Sequence, residues 1–157
     1  MLDRQSQIEF ILDHYENPRN RGRLENPDVV MKGGNPGCGD VVTFYLKVDP
    51  ETQKVVEARW EGEGCTISQA AASLASEMVQ GKTLDDIKSL KADDLIDILG
   101  REVVTARLRC ATLGIHTAKA AVRKYEVERL LAQIEADRAA QVAEEAQELG
   151  LEFEAVD

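Results

Sequence analysis

Three thiols and one carboxylate stand where their types and neighbours could do chemistry. Cys38 and Asp40 lie in Gly33-Gly34-Asn35-Pro36-Gly37-Cys38-Gly39-Asp40, Cys65 follows Gly62-Glu63-Gly64, and Cys110 ends Arg107-Leu108-Arg109-Cys110. The first loop is dominated by backbone: glycines allow close approach and positive φ, and a Cys-x-Asp spacing lets both side chains leave a tight turn toward a common point. Cys65 immediately precedes the expected start of a helix at Thr66, where unpaired N–H groups favour the thiolate that binds metals and attacks sulfur. Cys110 sits near the start of another helix, between two guanidinium groups and the following apolar stripe. Any one of these cysteines could be a small buried hydrophobe. All three at element boundaries, beside glycines or arginines, argue instead for a shared site. Three thiolates and a carboxylate match either a tetrahedral zinc site or a small iron–sulfur cluster with one oxygen ligand, and spacing alone does not separate them. With no Cys-x-x-Cys pair, neither a zinc ribbon nor a ferredoxin-type run fits.

The elements that must position these residues are legible as periodicities. Ile8, Ile11, Leu12 and Tyr15 form an i, i+3, i+4, i+7 stripe that predicts a first helix, stopped at Asn17-Pro18. Val42, Phe44, Leu46 and Val48 alternate with polar residues, and Val56, Ala58 and Trp60 do the same, with Asp49 to Gln53 as the connection of an antiparallel hairpin. Trp60 is expected in the core, and Val29 to Met31 add a candidate third strand at the edge. Beyond Pro50 there is no proline, and the pattern turns helical. One helix is expected from Thr66 to about Gly81, with Ile67, Ala70, Ala71, Leu74 and Met78 on one face. One or two short helices follow from Leu84 to Leu99, ending at Gly100. A further stripe comprises Val104, Leu108, Ala111, Ile115, Ala118 and Val122, its helix starting near Cys110. Strands first and helices after predict an α+β fold, with a small antiparallel sheet of about three strands packed by several helices.

Charge divides the chain. The net charge is -10, yet residues 126–157 contain ten acidic and two basic residues, leaving a net of -2 for residues 1–125. The expected organisation is therefore one domain over residues 1–125 and an acidic, largely helical extension over 126–157, the Glu-rich stretch beyond Ala139 being a marginal helix. The acidic tail argues against nucleic-acid binding by that segment, and no nucleic-acid partner is expected. No apolar run is long enough for a membrane span, and the first residues lack the pattern of a secretory signal, so a cytoplasmic location is expected. In that reducing compartment an odd count of three cysteines points away from disulfides.

Taken in order, His14-Tyr15-Glu16-Asn17-Pro18-Arg19-Asn20-Arg21-Gly22, Gly34-Asn35-Pro36-Gly37-Cys38-Gly39-Asp40, Gly62-Glu63-Gly64-Cys65-Thr66-Ile67-Ser68 and Arg109-Cys110-Ala111-Thr112-Leu113 resemble the successive signatures of the IscU/SufU/NifU-type iron–sulfur cluster assembly scaffold family. The resemblance covers about residues 4 to 125. It implies a scaffold, not an enzyme, that accepts sulfur as a persulfide from a cysteine desulfurase, takes iron from an iron donor, assembles a 2Fe-2S cluster and transfers it to recipient apoproteins. Cys38, Asp40, Cys65 and Cys110 are then the cluster ligands. Cys110 is the first choice for persulfide acceptor and Cys38 the second, while Asp40, a hard oxygen among soft thiolates, is the weak link suited to cluster release.

Two departures from the family pattern shape the alternatives. Arg109 stands where many IscU-type members carry histidine, and Val103-Val104-Thr105-Ala106-Arg107 replaces a chaperone-recognition segment, which argues against a dedicated Hsp70-type chaperone partner. The Ala106-to-Leu113 run resembles SufU, a zinc-bound sulfur acceptor, although the insertion that SufU carries between its last two cysteines is missing. The alternative function is therefore a zinc-dependent sulfur acceptor acting with a cysteine desulfurase, with zinc in place of the cluster. A third reading, an interaction domain with three core cysteines, requires all three to be dispensable for metal binding. His116 lies six residues past Cys110, about 9 Å along a helix, which makes it an awkward co-ligand and favours a pocket-side role over ligation. His14 is expected at the surface or in the packing of the first helix.

Overall fold

A computed structural model of the chain describes residues 3–37 and 39–156; Cys38 therefore lies outside the described residues. Helix α1 (Arg4–Glu16) starts at Asp3, whose carboxylate accepts the Ser6 N–H at 2.8 Å. Strands β1 (Val29–Asn35), β2 (Asp40–Asp49) and β3 (Lys54–Glu63) form an antiparallel sheet in the order β1-β2-β3. Then come α2 (Thr66–Val79), α3 (Leu84–Ser89), α4 (Ala92–Leu99), α5 (Arg101–Val104), a 3-10 turn (Thr105–Arg107) and α6 (Leu108–Leu149). This is the expected α+β arrangement, with the candidate edge strand running on to Asn35.

One face of the sheet is the core. Val42, Phe44, Leu46 and Val48 of β2 are buried with Ala58 and Trp60 of β3, and Phe44 stands opposite Trp60 in the register. The alternation expected for β3 breaks at its start: Val55 is fully buried, whereas Val56 is 53% exposed. A register irregularity at Lys47/Val48 puts Val48 opposite Val55, and the extra residue in β3 turns Val56 outward. The hairpin itself is pinned by Asp49, whose carboxylate accepts the Glu51 N–H and the Thr52 hydroxyl, both at 3.0 Å.

The stretch after α1 closes the outer edge of β3. The Gly22 N–H donates to the Trp60 carbonyl (2.8 Å), the Trp60 N–H to the Asn20 carbonyl (3.0 Å), and the indole N–H to the Arg19 carbonyl (2.8 Å). The face of α1 also differs from the expected stripe. Ile11 and His14 are buried, while Leu12 and Tyr15 are more than 40% exposed. The reason is a polar contact that periodicity does not see: His14 Nδ1 lies 2.7 Å from the Ser73 hydroxyl, which also accepts the Arg19 N–H at 2.8 Å. Having accepted from Arg19, the hydroxyl has its proton to give to Nδ1, so the neutral imidazole fits, with its Nε2 3.5 Å from Glu77.

The chain divides into two compact units, Met1–Lys124 and Tyr125–Asp157. In the second unit the helix runs without interruption to Leu149, past the marginal stretch expected beyond Ala139. Alanines at 132, 136, 139, 140, 143 and 146 supply the helix propensity that the glutamates alone did not suggest. The helix ends at Gly150, at φ +66°, with the Leu151 N–H returning to the Ala146 carbonyl at 2.8 Å.

His14 gives the fold a pH dependence of definite sign. Burial first, then the positive charge of Arg19, hold its pKa below the ordinary 6.5, against the opposing pull of Glu77 and Asp13. As pH falls below 6.5 the unfolded chain takes up a proton that the folded chain refuses, so stability drops until the folded-state pKa is passed. Urea midpoints measured between about pH 7.5 and 5.5 should fall with pH, and His14→Gln should flatten that fall. An unchanged slope in the variant would assign the dependence to other groups.

Candidate metal centre

Asp40 opens β2 directly opposite Asn35, the last residue of β1, so strand pairing fixes its backbone. The turn between them is tight. The Gly39 N–H donates to the Asn35 carbonyl at 2.9 Å with Gly39 at φ +73°, a conformation natural to glycine. The Asp40 side chain is only 2% exposed. Its Oδ1 accepts the Cys65 N–H at 3.0 Å, and its Oδ2 lies 3.8 Å from the Cys65 sulfur.

Cys65 is the N-cap of α2, in an extended conformation, with its sulfur accepting the Ser68 N–H at 3.5 Å. The expected helix start at Thr66 is thus observed, and the sulfur takes the place that a Ser or Asp oxygen usually fills. Two residues that sequence reasoning did not single out hold this corner. The Ser68 hydroxyl donates to the Cys65 carbonyl at 3.0 Å. Gln69, 5% exposed, reaches back with its amide nitrogen to the Gly62 carbonyl (3.2 Å) and its amide oxygen to the Gly64 N–H (3.3 Å). The available signal was a lone amide on an alanine-rich helix, one turn past Cys65. Gly64 must be glycine for space: a Cβ there would overlap Asp40 Oδ1 and sit 2.6 Å from the Ser68 hydroxyl.

Cys110 arrives on the first turn of α6, 4% exposed. Close helix packing brings it in. A Cβ on Gly114 would stand 2.8 Å from Ala72 Cα, and one on Gly33 would overlap the Thr117 hydroxyl, so α6 lies hard against both α2 and β1. One ligand atom each from Asp40, Cys65 and Cys110 then fall within 4.8 Å of one another. Among the described residues these are the three that meet. His116 is exposed and outside the group, and His14 is buried elsewhere, against Ser73. Of the two arginines flanking Cys110, Arg107 has its pKa raised above the usual arginine value, by the charge of Cys65 first and then by Cys110. Arg109 is exposed. Two sulfurs and a carboxylate, mostly shielded from water and gathered at a helix N-terminus, suit a thiophilic cation or an iron–sulfur unit.

The sequence profile of the NifU-like N-terminal domain matches residues 7–132. The chain belongs to the NifU-like N-terminal domain family. Among the relatives of this NifU-like chain is the iron-sulfur cluster assembly scaffold protein IscU of Aquifex aeolicus (strain VF5), 35% identical over 151 residues and 93% of each chain. Another is the zinc-dependent sulfurtransferase SufU of Bacillus subtilis (strain 168), 36% identical over 135 residues, 75% of this chain and 90% of that one. The crystal structure of a protein described as a candidate iron-sulfur cluster assembly scaffold for the SUF system, from Fervidobacterium islandicum AW-1, superposes with a TM-score of 0.59. It is 29% identical and covers 73% of this chain and 94% of that one. The NifU-like match runs past the first of the two units and stops within α6.

Since a side chain at position 64 would push Asp40 off the Cys65 N–H, Gly64→Ala should lower folding stability by about 1–3 kcal/mol and weaken metal retention as well. Denaturant unfolding and metal content after desalting measure the two effects. Wild-type values for both would mean that this contact does not hold the site.

Proposed function

We propose that this NifU-like chain is an iron–sulfur cluster assembly scaffold, holding a transient 2Fe-2S cluster as cargo on Cys38, Asp40, Cys65 and Cys110. The observation that carries the reading is the convergence of Asp40, Cys65 and Cys110 ligand atoms within 4.8 Å, from a strand start and two helix starts. Cys38, two residues before Asp40 in sequence, completes the ligand set. The iron-sulfur scaffold named among the relatives supports the same reading.

The chain's own residues do the following. The α2 N-terminus presents the Cys65 sulfur and the Ser68 N–H orients it, keeping a soft ligand in place. Cys110 is the proposed first acceptor of sulfur from a cysteine desulfurase, with Cys38 second. Iron comes from an iron donor, and the assembled cargo passes to recipient apoproteins, so the chain works as a carrier and not by turnover of a small substrate. Asp40 contributes the hard ligand. With Oδ1 engaged by the Cys65 amide, the carboxylate is the hard ligand first to yield to an incoming thiol. Among the described residues no helix is long and apolar enough to cross a membrane.

The sulfurtransferase relative favours a second reading, in which the same residues hold zinc and a cysteine leaves the metal to accept sulfur. Under either reading, replacing Cys38, Cys65 or Cys110 with Ser should each weaken metal retention roughly tenfold or more. Under the scaffold reading Asp40→Ala should also slow cluster loss several-fold, followed as decay of the visible absorption. Faster or unchanged loss would remove Asp40 from the release step, and intact metal retention in all three cysteine variants would overturn the site.

A further inference from the structure

In the second unit α6 carries an apolar stripe with nothing of its own to bury it. Val127, Leu130, Leu131 and Ile134 fall at i, i+3, i+4 and i+7, and all four are exposed, Leu130 the most at 61%. Among the described residues 126–149 none is buried. A helix in water owes most of its stability to packing such a face, and a contiguous run of large aliphatic side chains on a surface marks a contact with something else. The order within the stripe says what kind of contact. Val127 and Ile134 are β-branched and one heptad apart, with Leu130 at the position between them, an arrangement that favours the pairing of two helices.

Charge says which second helix. At about 3.6 residues per turn, Glu128 and Glu135 border the stripe on one side and Glu126 and Asp137 on the other. Neither cation of the unit lies on those borders. Arg129 is on the far side, its guanidinium donating to the Tyr125 hydroxyl at 2.8 Å and lying over that ring, 5.6 Å from its centroid. Arg138 stands in line with the stripe, one turn past Ile134, and ends the apolar run. A second copy of the chain would set acidic borders against acidic borders, whereas lysine or arginine beside an apolar face would pair with them. We propose that residues 127–134 form a docking stripe for a basic amphipathic helix of a partner protein, the four aliphatic side chains acting as anchors and the bordering carboxylates selecting the charge of the partner.

The test uses the full chain and a fluorescein-labelled synthetic peptide of about 20 residues, leucine on one helical face and lysine beside it, long enough to hold a helix. Anisotropy should show saturable binding that weakens as salt rises. Leu130→Ala combined with Leu131→Ala, which trims the stripe and keeps charge and helix propensity, should weaken binding about tenfold or more, as loss of buried anchors does. Glu135→Gln combined with Asp137→Asn should weaken it less and flatten its dependence on salt. The same peptide with glutamate in place of lysine should not bind. Far-UV circular dichroism equal to wild type shows that the helix is intact in both variants, and the two variants test the inference independently. Absence of binding to the wild-type chain would overturn it. So would a leucine variant within about twofold of wild type, which would leave charge alone as the cause, or equal binding of the glutamate peptide. Sedimentation showing that the chain alone associates through these leucines would also overturn it, because a second copy would then be the occupant. The stripe contains none of the proposed metal ligands, so this inference and the cluster-scaffold reading fail separately.

Discussion

The hydrogen bond from the Cys65 amide to the Asp40 carboxylate joins the start of β2 to the start of α2, and the rest of the site is arranged around it. A buried carboxylate needs donors, and a helix N-terminus has N–H groups to give. Meeting both needs with one bond fixes how the sheet and the helix come together. Gly64 allows the approach and Gln69 clamps the connecting loop, so Cys65 and Asp40 are held before any cation arrives. Cys110 is added by a different constraint, the contact of Gly114 with Ala72, where any side chain would force the helices apart. The candidate ligands are thus set by close contacts in three separate elements.

Much of this was legible in the sequence, for identifiable reasons. Period-2 alternation precedes helical periodicity along the chain, so the α+β order followed, and Cys65 before Thr66 marked a helix start. What escaped were features set by tertiary contact. Val56 rather than Val55 looked buried because a bulge leaves no mark in an alternating pattern. The apolar stripe of α1 pointed to Leu12 and Tyr15, whereas the structure buries His14, whose polarity is met by a serine 59 residues away. Gln69 reads as an ordinary polar residue until its two backbone partners are seen.

The N-terminal signature beginning at His14 has a structural role distinct from ligation. Through Arg19, Asn20 and Gly22 it pairs with Trp60 and covers the outer edge of β3, and through His14 and Ser73 it seats α1 on α2. An unpaired strand edge invites association with other chains, so this cover also protects the sheet. The acidic second unit carries its charge on a helix sustained by alanine. Concentrating the negative charge there leaves residues 1–125, which include the candidate metal centre, close to neutral.

The central claim is that this centre assembles a cluster. Its most direct test is anaerobic incubation of the purified chain with a cysteine desulfurase, cysteine and ferrous iron, followed by the visible spectrum and by iron, zinc and acid-labile sulfide content. The scaffold account predicts charge-transfer bands with matched iron and sulfide. Tightly held zinc that blocks cluster formation, with sulfur appearing on a cysteine, would contradict it and establish the sulfur-acceptor reading instead.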